Sequence, residues 1–166
     1  MIRLIKLSTL LTCFFVAPII LAKAGSPVSN FDTGTFYAAM AGSSLQEVNI
    51  ILTTIKDAVF AEKEAYEGAL LMKKAGLVSK PKDKLSNFKL GRTKLEAAIK
   101  NDPGNIEYHF LRLIIQEHVP KIVNYRADLK ADAELIRTSL KKLSPPVKQA
   151  VKNFSKNSKF LKAGDF

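Results

Sequence analysis

Leu95-Glu96-Ala97-Ala98-Ile99-Lys100-Asn101-Asp102-Pro103-Gly104-Asn105 runs directly into Ile106-Glu107-Tyr108-His109-Phe110-Leu111-Arg112-Leu113-Ile114-Ile115-Gln116-Glu117-His118. The first half ends a helix. In Asp102-Pro103-Gly104 the residue before proline is pushed out of helical geometry, the proline N–H is missing and the glycine is free to turn. Asn105 is a good N-cap, so a second helix starts at Ile106, and Pro120 stops it. Tyr108, Phe110, Leu111, Leu113, Ile114 and Ile115 make this helix apolar on most faces, which places it in the middle of a bundle. Leu95, Ile99, Phe110, Leu113 and Ile114 flank the turn and are expected near the centre of the core.

Working outward, the same period continues on both sides. Pro81 suits the first position of the preceding helix, with Leu85, Phe88, Arg92, Leu95 and Ile99 along one side. Before it, Glu62 to Ala75 carries acids at its start and Lys73-Lys74 at its end, the order that complements a helix dipole. Ala61, Ala65, Gly68, Met72 and Ala75 give that helix a flat face that a neighbour can approach closely, and Gly76 is a natural stop. Ser44-Leu45-Gln46-Glu47 reads as a capping box, with Leu45, Val48, Leu52, Ile55 and Val59 on the stripe behind it. A turn near Lys56 to Phe60 divides these two helices. Downstream, Tyr125 or Asp128 to Leu143 forms a helix with Leu129, Ala133, Ile136 and Leu140 on one face, and Pro145-Pro146 opens a shorter one. No stretch alternates with the period of two that marks a strand. The expectation is an all-α fold of antiparallel helical hairpins, about five to six helices.

Leu95 to Asn105 resembles the second helix and closing turn of a tetratricopeptide repeat, with Gly91 and Ala98 at the small positions and Pro103 at the proline position. Ala65 to Leu71 is similar to the first helix. The loop from Gly76 to Pro81 is longer than in those repeats, and no period of about 34 residues runs through the chain. The resemblance covers about a third of the protein. Residues 60–140 also resemble a group of small uncharacterised exported helical proteins from bacteria, which implies a helical fold and export.

The chain begins with a basic Met1-Ile2-Arg3-Leu4-Ile5-Lys6 and an apolar stretch from Leu7 to Leu21, followed by Ala22-Lys23-Ala24. This is the order of a cleavable signal peptide. The stretch is shorter than the ~20 residues that span a bilayer, and Pro18 interrupts it. Cys13 does not read as a lipidation site, because Thr12 precedes it and apolar residues follow it. Cleavage leaves Gly25 as the mature N-terminus and no cysteine, so neither a disulfide nor a thiolate site is available. With so brief a leader, the absence of disulfides favours bacterial export, to the periplasm or beyond. The organisation expected is signal peptide 1–24, flexible lead-in 25–43 with a short turn of helix at Phe36, Tyr37 and Met40, helical domain 44–154, and basic tail 155–166 that frays.

Formal net charge is +11, and the leader holds three bases and no acid, leaving +8. It is unevenly placed: residues 25–72 carry −4, 73–100 carry +7, 101–140 carry −1 and 141–166 carry +6. The basic middle can pair with the acidic segment before it. A pI near 9.8 suits nucleic acid, but no helix sets basic residues among aromatics in the manner of a reading helix, and export argues against that partner.

No catalytic motif is present. His109 and His118 lie nine residues apart, on opposite faces of one helix, and no H-x-x-x-H pattern exists. His118 suits the carbonyls at a helix end. Nucleophile elbows, phosphate loops and dinucleotide fingerprints are missing, and Ser43 and Ser44 serve as caps. Glu62, Glu64 and Glu67 suit a helix N-terminus. Arg112 and Glu117 sit in the most apolar helix and need partners. For Arg112 these are Asp128, Asp132 or Glu96 in a structural ion pair, or an external anion. Tyr66, Tyr108 and Tyr125 can line a groove between helices. The expectation is a non-enzymatic interaction module without a cofactor or metal, binding a protein or peptide through Tyr66, Tyr108, Arg112 and Tyr125. The alternative is an anionic surface, of lipid or envelope polymer, contacted by Lys148, Lys152, Lys156, Lys159 and Lys162, whose spacing makes one stripe if helix persists. Oligomeric state is not legible.

Overall fold

The computed structural model describes residues 31–165. The leader, its Ala22-Lys23-Ala24 site and Gly25 lie outside the described residues. Among those described, every regular element is helical and no helix is long and apolar enough to cross a membrane. Seven α-helices follow one another: α1 Thr33–Ala41, α2 Leu45–Asp57, α3 Lys63–Leu77, α4 Pro81–Asn101, α5 Ile106–His118, α6 Leu129–Ser139 and α7 Pro145–Ser155. Short 3₁₀ turns sit at Lys121–Val123, Leu140–Lys142 and Ala163–Asp165.

The turn between α4 and α5 has the expected form. α4 ends at Asn101, and the Asn105 side chain accepts from the backbone N–H of Glu107 and Tyr108. Helix α5 is central: it packs against α3, α4, α6 and α7, burying Ile106, Tyr108, Phe110, Leu111, Leu113 and Ile115. Leu95, Ile99, Phe110 and Leu113 are core residues, whereas Ile114 is only half-buried. The neighbouring helices cover most of the circumference of α5 and leave that side open.

Helices α3 and α4 form the tightest pair. Gly68 and Gly91 meet at the crossing, where a Cβ added to Gly68 would lie 2.7 Å from Leu95 N and 2.8 Å from Gly91 O. A Cβ on Gly91 would lie 2.5 Å from Gly68 O. Backbone therefore rests on backbone, and only glycine permits it. Ala65, Met72 and Ala75 are buried beside them, while Ala61 precedes the helix and is exposed.

Several expectations need correction. Residues 33–41 are not a flexible lead-in but helix α1, capped by Asp32, with Phe36, Tyr37, Ala39 and Met40 buried. Phe36 stacks on Tyr66 at 4.1 Å, and α1 closes against α7 and α2. The stripe on α2 is Val48, Ile51 and Ile55, because the helix stops at Asp57 and leaves Val59 exposed. Helix α3 runs through Gly76, with its C-cap at Val78. Leu85 and Arg92 are exposed, because they lie off the side of α4 on which Gly91 meets α3.

The tail does not fray. Glu117 accepts hydrogen bonds from the Ser158 hydroxyl at 2.7 Å and from the Lys159 backbone N–H. Arg137 donates to Phe160 O at 3.0 Å and to Asp165 at 3.1 Å, and Leu161 is 0% exposed. One buried apolar anchor and two charged partners hold a segment that reads as a lysine-rich end.

Candidate functional site

Two polar clusters share the central helix. The first surrounds Arg112, and its partners come from three helices. The guanidinium is bidentate to Asp132 of α6, with Nε donating to Oδ2 and Nη2 to Oδ1, both at 2.8 Å. Nη1 donates to Glu96 of α4 at 3.2 Å, and Asp128 lies at 3.6 Å. The three acids expected as alternative partners are thus engaged together. Tyr125 donates its hydroxyl to Glu96, and the Gln116 amide donates to Asp128 at 2.9 Å.

His109 completes this cluster. Nδ1 lies 2.7 Å from Asp132 Oδ1 and Nε2 lies 3.0 Å from Pro103 O. Both partners are acceptors, which favours the doubly protonated imidazolium, although Nδ1 also lies 3.4 Å from Arg112 Nη2. The Asp132 hydrogen bond raises its pKa above the usual histidine value, against the opposing effect of burial. Burial pushes the Asp132 carboxyl up, but Arg112 and His109 outweigh it and hold the group low. Neither ring nitrogen is free to take a proton from a substrate. The cluster fastens α4, α5 and α6 together, and the hydrogen-bonding edge of Arg112 is turned toward the chain's own acids.

The second cluster centres on Glu107, in the first turn of α5. Its Oε1 accepts from the Tyr37 hydroxyl at 2.8 Å and from the Tyr66 hydroxyl. Burial raises the Glu107 pKa and the charge of Glu62 adds to the rise, while the two phenols oppose it. Burial and then Glu107 push the Tyr37 and Tyr66 hydroxyls up as well. Tyr108 is raised by burial and by the charges of Glu62, Asp102 and Glu107.

A cleft of about 540 Å³ opens over this carboxylate. Phe31, Phe60 and Tyr66 form its aromatic wall, with Phe31 stacked on Phe60 at 4.8 Å and Tyr66 5.6 Å from Phe60. Glu62 and Glu107 supply the acids, and Lys142, Leu143 and Ser144 also line the cleft. Neither Glu62 nor Glu107 has a cation paired with it among the described residues, whereas Glu64 and Glu67 both hold Lys94, at 2.8 and 3.2 Å.

Comparison with protein-family models, curated proteins and solved structures returned no match to this chain.

The groove expected from three tyrosines is therefore divided. Tyr66 lines the cleft over Glu107 and Tyr108 is buried on α5 outside that lining, while Tyr125 belongs to the Arg112 cluster, T-shaped on Phe88 and beneath Arg92. The five tail lysines do not form one stripe. Helix α7 ends at Ser155, so Lys148 and Lys152 lie on it and Lys156, Lys159 and Lys162 follow the turn. His118 donates to Ile114 O at 2.8 Å, at the helix end. Sequence reading missed Phe31, Tyr37, Phe60 and Glu107. The one local signal, an acid in a first turn, is explained by the dipole alone.

Proposed function

We propose that this chain is an exported, non-enzymatic helical interaction module that binds a basic segment of a protein or peptide in the cleft over Glu107. The observation that carries this reading is the pairing of two acids without a cation, Glu62 and Glu107, with the rings of Phe31, Phe60 and Tyr66. Such a surface suits a lysine or arginine side chain, whose stem packs on rings while its head meets a carboxylate. The desolvation that raises the Glu107 pKa is the strain that an incoming cation relieves. Export is part of the reading through the leader, and the repeat-like hairpin is part of it through the close approach of Gly68 and Gly91.

The test is an NMR titration with a short arginine–leucine peptide and its citrulline counterpart, which keeps shape and removes charge. The arginine peptide should give saturable shifts at Phe31, Phe60, Tyr66 and Glu107, and the citrulline peptide should not. Glu107→Gln should weaken binding about tenfold or more. Equal binding of both peptides, or shifts away from the cleft, would exclude this site.

A further inference from the structure

The basic middle of the chain is left mostly without acid partners. Of its nine bases, from Lys73 to Lys100, only Lys94 forms an ion pair among the described residues. Four residues of α4, Lys82, Leu85, Lys89 and Arg92, are spaced 3, 4 and 3 and therefore share one side of the helix. All four are exposed, Leu85 at 56%. Asp83, one position on from Lys82, points elsewhere, and Glu96, the next residue along this side, is engaged by Arg112 and Tyr125.

A second element joins this side. Tyr125 packs against Phe88 at 5.7 Å and under the Arg92 guanidinium at 4.7 Å, so the chain meets α4 two residues after the 3₁₀ turn Lys121–Val123. Ile122, at the tip of that turn, is 93% exposed, more than any other large apolar residue described. Asn124 ends the turn in the left-handed region, at φ 50°. Around the Tyr125–Arg92 contact the surface thus carries the exposed bases Lys82, Lys89 and Arg92 of α4 and, from the segment before Tyr125, the exposed Lys121 and Ile122, with Leu85 among the bases of α4.

We infer that this face docks the protein on an anionic lipid bilayer, with Leu85 and Ile122 entering the headgroup region and the bases meeting lipid phosphates. Charge alone fits any polyanion. The apolar protrusions among the bases decide for lipid, because they gain nothing against a soluble acidic polymer and are buried at an interface. The tail lacks this combination: Phe154 and Phe160 are half-buried and Leu161 is buried.

The chain contains no tryptophan, so a single one reports its own surroundings. Ile122→Trp and, as a control on the outer face of α2, Ile50→Trp would be titrated in the full chain. The titrants are vesicles of phosphatidylcholine alone and of phosphatidylcholine with phosphatidylglycerol, at low and high salt. Trp emission from position 122 should move to shorter wavelength with the anionic vesicles only, and high salt should reverse the shift. Position 50 should not respond. Adding Lys82→Gln, Lys89→Gln and Arg92→Gln should weaken partitioning roughly a hundredfold, at about fivefold per charge. Lys82→Arg with Lys89→Arg should preserve it. The inference is overturned by no shift at position 122, by a shift of equal size at position 50, or by a shift that survives loss of the three charges. A shift given by heparin or an oligonucleotide but not by vesicles overturns it in favour of a soluble polyanion.

Discussion

Gly91→Ala should destabilise the protein, although alanine in a helix interior is ordinarily the better residue. Gly91 lies in the middle of α4, where the exchange alone would stabilise by about 1 kcal/mol. The new Cβ, however, would stand 2.5 Å from Gly68 O and 2.8 Å from both Met72 Cγ and Met72 N. Met72 Cγ can swing aside, but Gly68 O and Met72 N are backbone of α3 and cannot move without the helix. Restoring ordinary contact asks α3 and α4 to part by about 1 Å, which loosens the packing around Met72, Leu95 and Ala98. Overpacking of this kind costs about 3 kcal/mol, so the net loss is roughly 2 kcal/mol. Urea denaturation measures it as a fall in midpoint of about 1 M at unchanged slope. Gly76→Ala is the internal control, because the same helix pair offers nothing within 4 Å of that Cβ, and it should be neutral or stabilising. Gly68→Ala should behave like Gly91→Ala, and the double variant should lose less than the sum because the helices part only once. If Gly91→Ala raised the midpoint as Gly76→Ala does, the close approach of α3 and α4 would be wrong.

Arg112→Ala should cost about 3–5 kcal/mol by leaving Asp132 buried without its main partner, and Arg112→Met with Asp132→Leu should recover most of that loss in the same assay. The stabilisation from His109 should be full below its unfolded pKa near 6.5 and fade as pH rises through its raised folded value. His109→Gln should therefore destabilise more at about pH 5.5 than at about pH 8, and a pH-independent loss would contradict the imidazolium. Leu161→Ala should cost about 2–5 kcal/mol because the residue is fully buried, whereas a frayed tail would register no change. Burial raises the Glu107 pKa, so its charged form opposes folding above the ordinary carboxylate range; Glu107→Gln should hold or raise stability at neutral pH, and a large loss would locate its value in the charge.

Helix boundaries were legible wherever a chemical signal is local. Pro81, Asp102-Pro103-Gly104, Asn105, Pro120 and Pro145-Pro146 act through their own backbone or a hydrogen bond spanning two or three residues, and the helices begin or end where they stand. The central position of α5 followed from its apolar circumference, and the partners of Arg112 from the need to neutralise a charge in that helix. Gly68 could be seen as one of a row of small residues, but its contact with Gly91 could not, because that depends on the register of two helices.

The sequence by itself thus determined that the regular elements among the described residues are helical, where most helices divide, and which helix lies innermost, since these follow from periodicity, caps and the cost of burying charge. Tertiary structure alone decided what lies together. It turned residues 33–41 into a core helix by setting Phe36 on Tyr66, and it folded a lysine-rich tail onto Glu117, 41 residues away from Ser158. It gathered Tyr37, Tyr66 and Glu107 over separations of 70 and 41 residues, and sent Tyr125 to a different cluster. Contacts over such distances leave no period in the chain, because they are set by how whole helices pack and not by any neighbour along the backbone.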